Sequence, residues 1–144
     1  MERRDLLKEQ AEQLGKMLGL ILQRLRILSQ EGGAEMAIAN PHEQFQTKMD
    51  LDISQLVQLP PEALPDYLDD HLLQVRHLDQ LTTYLLQSGM LHGQLGHTGE
   101  QKQYLHTALA INQLADHRSD TYPFDRQDQR VRIERALHEG PAGD

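Results

Sequence analysis

The densest apolar pattern in the chain lies between residues 14 and 28. Hydrophobic side chains recur there at helical spacing, and the same spacing extends back toward the amino terminus (Leu7, Ala11, Leu14, Leu18, Ile21, Leu25 and Leu28). Gly32 and Gly33 follow as a strong stop signal for a helix. We call the long first helix that this pattern predicts for residues 1–30 the N-terminal helix.

A second apolar stripe on the N-terminal helix consists of Leu20, Leu22 and Ile27, which lie off the first stripe. A helix that is apolar over most of its circumference is buried on two sides. Two coverings fit the second side, namely residues 34–59 or a second copy of the chain in a homodimer, and the sequence does not choose between them. Gly15 and Gly19, one turn apart, favour close approach of another helix.

The rest of the chain predicts shorter helices. Residues 34–70 form short helices, one of them capped by Asp52 and ended by Pro60 and Pro61. A helical hairpin over residues 75–117 turns at Gly96–Gly99, and a last helix covers residues 123–138. We expect one helical domain over residues 1–139 and a disordered tail over residues 140–144. The inward residues of the last helix are predicted from its apolar positions (Phe124, Val131, Ala136 and Leu137).

The pair of helices around residues 82–113 resembles a single degenerate tetratricopeptide repeat. The small residues Gly89, Gly96 and Ala108 stand where such repeats let two helices approach closely, with Leu105 at a position that is usually aromatic. Three positions depart from the repeat pattern, namely His92, Gln101 and Gln113. No second copy of the repeat follows at the required period. The resemblance implies a repeat-like hairpin within a helical domain.

The whole chain also resembles a group of small, uncharacterised bacterial all-helical proteins. The resemblance rests on the opening Glu12–Lys16 segment, the acidic middle, the hairpin and the closing Thr121–Arg126 segment. Because the group has no assigned activity, the resemblance implies a fold and no catalytic residues.

Composition supports an all-α fold, since leucine and glutamine are abundant and no alternating β-pattern occurs. The chain has 144 residues, a net charge of −8 and no cysteine, which favours a cytoplasmic protein. No apolar run reaches the roughly 20 residues that span a membrane, so we expect no membrane association. Residues 31–70 carry nine acidic side chains against Lys48 alone, which argues against nucleic-acid binding.

The eight histidines do not predict a metal site, because no two stand three or four residues apart on one helix. His92 and His97 are five residues apart, and His92 could approach His106 across the hairpin. No phosphate-binding loop, nucleophile motif or convergent carboxylate pair occurs either. We therefore expect no metal, no cofactor and no enzyme activity.

Arg126 and Arg130, one turn apart in the last helix, are candidates for contact with an anion or an acidic peptide. Pairing within the chain is the favoured alternative. The partners would be either the nearby acids Asp125, Asp128 and Glu134 or the acidic segment 62–70. The leading functional hypothesis is a protein–protein interaction or scaffold module that forms a homodimer through the N-terminal helix; the sequence identifies no other partner. The alternative is a ligand-binding or regulatory domain with a pocket near His92, Tyr104 and Arg126.

Overall fold

The computed structural model describes residues 52–70, 73–119 and 124–139, with Phe124 and Glu139 described by their backbone alone. It also describes seven isolated residues of the predicted N-terminal helix, and all of them are helical (Glu9, Glu12, Gln13, Lys16, Gly19, Leu20 and Gln23). The protein is all-α, as predicted, and these described ranges contain no strand. The remainder of residues 1–51, which holds the rest of the predicted N-terminal helix, and the predicted tail at residues 140–144 lie outside the described residues.

Two short helices precede the hairpin. Helix α1 covers Ile53–Leu56, and the carboxylate of Asp52 accepts a hydrogen bond from the backbone N–H of Gln55 at 3.1 Å, which confirms the predicted cap. A 3₁₀ turn over Pro61–Ala63 leads into α2, which covers Leu64–Asp70. Both helices pack on the hairpin through buried apolar side chains (Ile53, Leu56, Leu64 and Leu68).

The hairpin consists of α3, Val75–Gln94, and α4, Thr98–Arg118. These limits agree with the predicted range of 75–117, and each helix buries one apolar face against the other elements. A Cβ atom added at Gly89 would lie 3.2 Å from the Leu105 side chain and 3.3 Å from Cβ of Tyr104. The two helices therefore touch at Gly89, where a larger residue would not fit without movement.

Helix α5, Phe124–Glu139, packs on α4 and on the first half of α3. The predicted inward position of Val131 is wrong, because its side chain is 52% exposed. Ile133 is fully buried instead, and Arg126 is only 4% exposed. Positions 126, 130, 133 and 137 share one helical face, so two arginines occupy half of the inward stripe. Ala136 and Leu137, which are also predicted to face inward, are partly buried against the core. The rule that apolar side chains face inward is therefore wrong at Val131 and misses the two arginines.

Candidate functional site

The most extensive polar cluster in the described part of the chain joins α3, α4 and α5 around the guanidinium group of Arg126. Its Nε and Nη2 atoms donate to the two carboxylate oxygens of Asp79 on α3, at 2.8 and 2.9 Å. Its Nη1 donates to Asp116 on α4 at 3.1 Å. The Arg126 side chain is 3% exposed, and those of Asp79 and Asp116 are 36% and 12% exposed. We call these three residues the arginine clamp.

Neighbouring side chains extend the clamp along the α4–α5 contact. Arg130 donates to the second oxygen of Asp116 and, through Nε, to the Asn112 side-chain oxygen at 2.9 Å. The Asn112 amide in turn donates to the backbone carbonyl of Arg126 at 2.9 Å. Asn112 is fully buried, so both halves of its amide group are satisfied where water is excluded. The cluster thus fixes the register of α5 on α4.

Internal pairing of the two arginines is confirmed, with different partners from those predicted. The partners are Asp79 and Asp116, whereas the acidic segment 62–70 supplies Asp69 to Arg118, at 2.8 and 3.2 Å. The hydrogen bond to Asp79 raises the pKa of Arg126 above its ordinary value, with a smaller contribution from Asp116. Every guanidinium nitrogen of Arg126 already donates to a carboxylate, and the side chain is 3% exposed, so an external anion has little access to it. The geometry therefore does not favour the anion or peptide contact predicted for this residue.

The pocket predicted near His92, Tyr104 and Arg126 is not assembled. His92 and Tyr104 do meet, with ring centroids 4.7 Å apart. Arg126 binds Asp79, which precedes His92 by thirteen residues on the same helix, or about 20 Å along its axis. The clamp and the histidine therefore lie toward opposite ends of α3.

The turn between α3 and α4 brings His92 and His97 together. Their Nδ1 atoms lie 3.2 Å apart, with ring centroids at 5.4 Å. His92 is 8% exposed, whereas His97 lies on the surface. Burial lowers the pKa of His92, the neighbouring His97 lowers it further, and Glu100 acts in the opposite direction. On a continuous helix, side chains five residues apart point in different directions. Here the helix ends between His92 and His97, so the spacing rules for a single helix do not predict their contact.

A second buried histidine, His77, lies in the first turn of α3. Its Nδ1 accepts a hydrogen bond from the backbone N–H of Gln74 at 2.9 Å, as an N3 side chain does in a capping box. Burial lowers the pKa of His77, and the positive charge of Arg76 lowers it further. His77 therefore stays neutral at pH 7 and serves as a cap.

A surface cleft of about 440 Å³ lies beside this cap, between the predicted N-terminal helix and the start of α3. The residues that line it include side chains of both charge signs (Glu12, Lys16, Arg76, His77, Asp79 and Gln80). Glu12 and Arg76 form a salt bridge across it. The cleft contains none of the three residues predicted to line a pocket.

The predicted interface residues lie mainly outside the described part of the chain. Leu20 is described, and its side chain is 68% exposed. This is more than the 52% of Val131 or the 45% of Met90, the other exposed large hydrophobic residues in the described part of the chain. Leu22 and Ile27 lie outside the described residues. A Cβ atom at Gly19 would meet no atom of the described chain within 4 Å, so the close approach predicted there is not formed by these residues.

Comparisons with protein-family models, curated proteins and solved structures found no match to this chain. No helix in the described part of the chain is long and apolar enough to cross a membrane.

Proposed function

We propose that this protein is a non-enzymatic interaction or scaffold module that self-associates through its N-terminal helix. The observation that carries the proposal is the 68% exposure of Leu20 within the most apolar stretch of the sequence. Exposed apolar surface on a helix that also carries a second apolar stripe is typical of a protein contact. A second copy of the chain is the occupant, because the apolar stretch presents a matching surface to its own copy in an isologous dimer.

The helices α3, α4 and α5 supply the rigid body that such a module needs. Their largest polar cluster, the arginine clamp, is engaged in holding them together. We therefore expect contacts with other molecules to use surfaces other than the clamp, and the N-terminal helix has the most apolar sequence among them. The absence of cysteine supports a cytoplasmic location, and the repeat-like hairpin supports membership of the bacterial group that the sequence resembles.

Size-exclusion chromatography with light scattering tests the proposal on the wild-type chain and on two variants. We expect a dimer at tens of micromolar, and a monomer for Leu20→Gln. Val131→Gln is the matched control, since Val131 is also exposed, at 52%, but lies on α5. A wild-type monomer would overturn the proposal and favour residues 34–59 as the cover of the second stripe.

Binding of a small charged ligand is a second candidate function, favoured by the cleft at the start of α3. Lys16 lines the cleft from the N-terminal helix and Gln80 lines it from α3, and Asp79 belongs both to the cleft and to the arginine clamp. A thermal-shift screen of metabolites would reveal a ligand that raises the melting temperature by several degrees. Loss of this shift in Lys16→Gln would place the ligand in the cleft; an unchanged shift would place it elsewhere.

A further inference from the structure

The end of helix α3 forms a Schellman motif, in which the chain reverses through a residue of positive φ. Gly96 supplies that residue, with φ of 82°. The backbone N–H of His97 donates to the carbonyl of His92 at 2.8 Å, and that of Gly96 donates to Gly93 at 3.1 Å. These are the two hydrogen bonds that define the motif. It brings the side chains of its first and last residues into contact, and this contact is usually hydrophobic.

Both of these positions are histidines in this protein. The backbone hydrogen bonds fix their relative position, and the His92 ring is held further by the Tyr104 ring at 4.7 Å. Helix α4 also lies close to the motif, since a Cβ atom at Gly93 would come within 2.6 Å of the Gln101 amide nitrogen. The two imidazoles are thus positioned before any ligand arrives.

We propose that His92 and His97 form a two-histidine binding site for a divalent transition-metal ion of the zinc, nickel or copper type. Imidazole nitrogen is a preferred ligand of these ions. Two nitrogens bound to one tetrahedral zinc ion, each at about 2.0–2.1 Å, lie roughly 3.4 Å apart. The observed Nδ1 separation is 3.2 Å, so the two nitrogens already have nearly the required spacing.

Binding through both Nδ1 atoms places the proton of each neutral imidazole on Nε2 and replaces the contact between the rings by two metal bonds. Among the residues that the structure describes, no three His, Cys, Asp or Glu side chains are grouped to hold one metal ion. Water therefore completes the coordination shell. The carboxylate of Glu100, whose charge acts on His92, favours a cation here.

Calorimetric titration of the untagged protein with zinc chloride at pH 7.5 tests the inference. We expect one saturable site per chain, weakened at least tenfold in His97→Ala. His97 is exposed, so this variant should keep its helical circular dichroism. His117→Ala is the matched control, because His117 is an exposed histidine at the other end of α4, about 30 Å away.

Equal zinc affinity in the wild type and His97→Ala would overturn the inference, as would the absence of a saturable site. Imidazole nitrogen NMR of the wild-type protein gives a readout that needs no variant. Zinc should shift the Nδ1 signals of His92 and His97 and leave those of the other six histidines in place. Shifts confined to other histidines would contradict the proposal. The inference does not depend on self-association.

Discussion

Two regions of this protein break the rule that polar side chains face water and apolar ones face the core. In the arginine clamp, a charged side chain is 3% exposed and bound on all its nitrogens by two carboxylates of the same chain. On the N-terminal helix, the apolar Leu20 is 68% exposed. The first exception is resolved within the chain, because each charge has a partner. No described residue covers the second, and our proposal is that a second copy of the chain does.

The largest effect is expected from removing the central charge of the clamp. Arg126→Met leaves Asp79 and Asp116 without their shared cation inside the helix contacts. Breaking a buried ion pair costs about 3–5 kcal/mol, and the partial exposure of Asp79 places the expected loss of unfolding free energy at about 3 kcal/mol. Urea denaturation measures it, with Arg132→Met on the exposed side of α5 as the control. A loss below about 1 kcal/mol would mean that the clamp is not what fixes α5.

A smaller effect is expected at the apolar contact between α3 and α4. In Gly89→Ala the added Cβ meets Cβ of Tyr104 at 3.3 Å, and that atom cannot rotate away from the α4 backbone. Overpacking costs about 1–3 kcal/mol, against a gain in helix propensity of about 1 kcal/mol, so we expect a net loss near 1 kcal/mol. Gly99→Ala is the control, since nothing lies within 4 Å of its Cβ position. Equal stability of the two variants would show that the hairpin contact is looser than its distances indicate.

The smallest effect concerns His77, a buried polar group that is satisfied at Nδ1 by a backbone N–H. Its pKa is lowered in the folded protein, so the unfolded chain binds more protons and stability falls as the pH drops below about 6.5. Protonation of His77 at Nδ1 would remove the acceptor of the Gln74 N–H and place two N–H donors against each other. The charged groups around it are Arg76, Glu12, Lys16 and Asp79.

The variant His77→Gln isolates this contribution, because glutamine at N3 can keep the cap and does not titrate. We expect its urea midpoint to fall less than that of the wild type between pH 7.5 and 5.5. Identical pH dependence in the two proteins would show that His77 does not contribute to acid sensitivity.

The sequence predicts the apolar part of the fold well and its polar part poorly. The stripes of α3 and α4 follow from leucine spacing, since burial of apolar surface dominates there. The inward face of α5 does not follow, because Arg126 and Arg130 occupy it and their partner Asp79 lies 47 residues from Arg126. The sequence does contain a signal, since Arg126, Arg130 and Ile133 share one face of a helix. Asp79 directly follows Leu78, which is fully buried in α3. The His92–His97 contact required recognising Gly96 as the positive-φ residue of a helix end.

The central claim is our proposal that the N-terminal helix, around the exposed Leu20, contacts a second copy of the chain. Sedimentation equilibrium of the wild-type protein, from 1 to 100 micromolar, tests it most directly. We predict a reversible increase in average mass from that of the 16.5 kDa chain toward twice that value as concentration rises. A constant mass of one chain across the whole range would contradict the account.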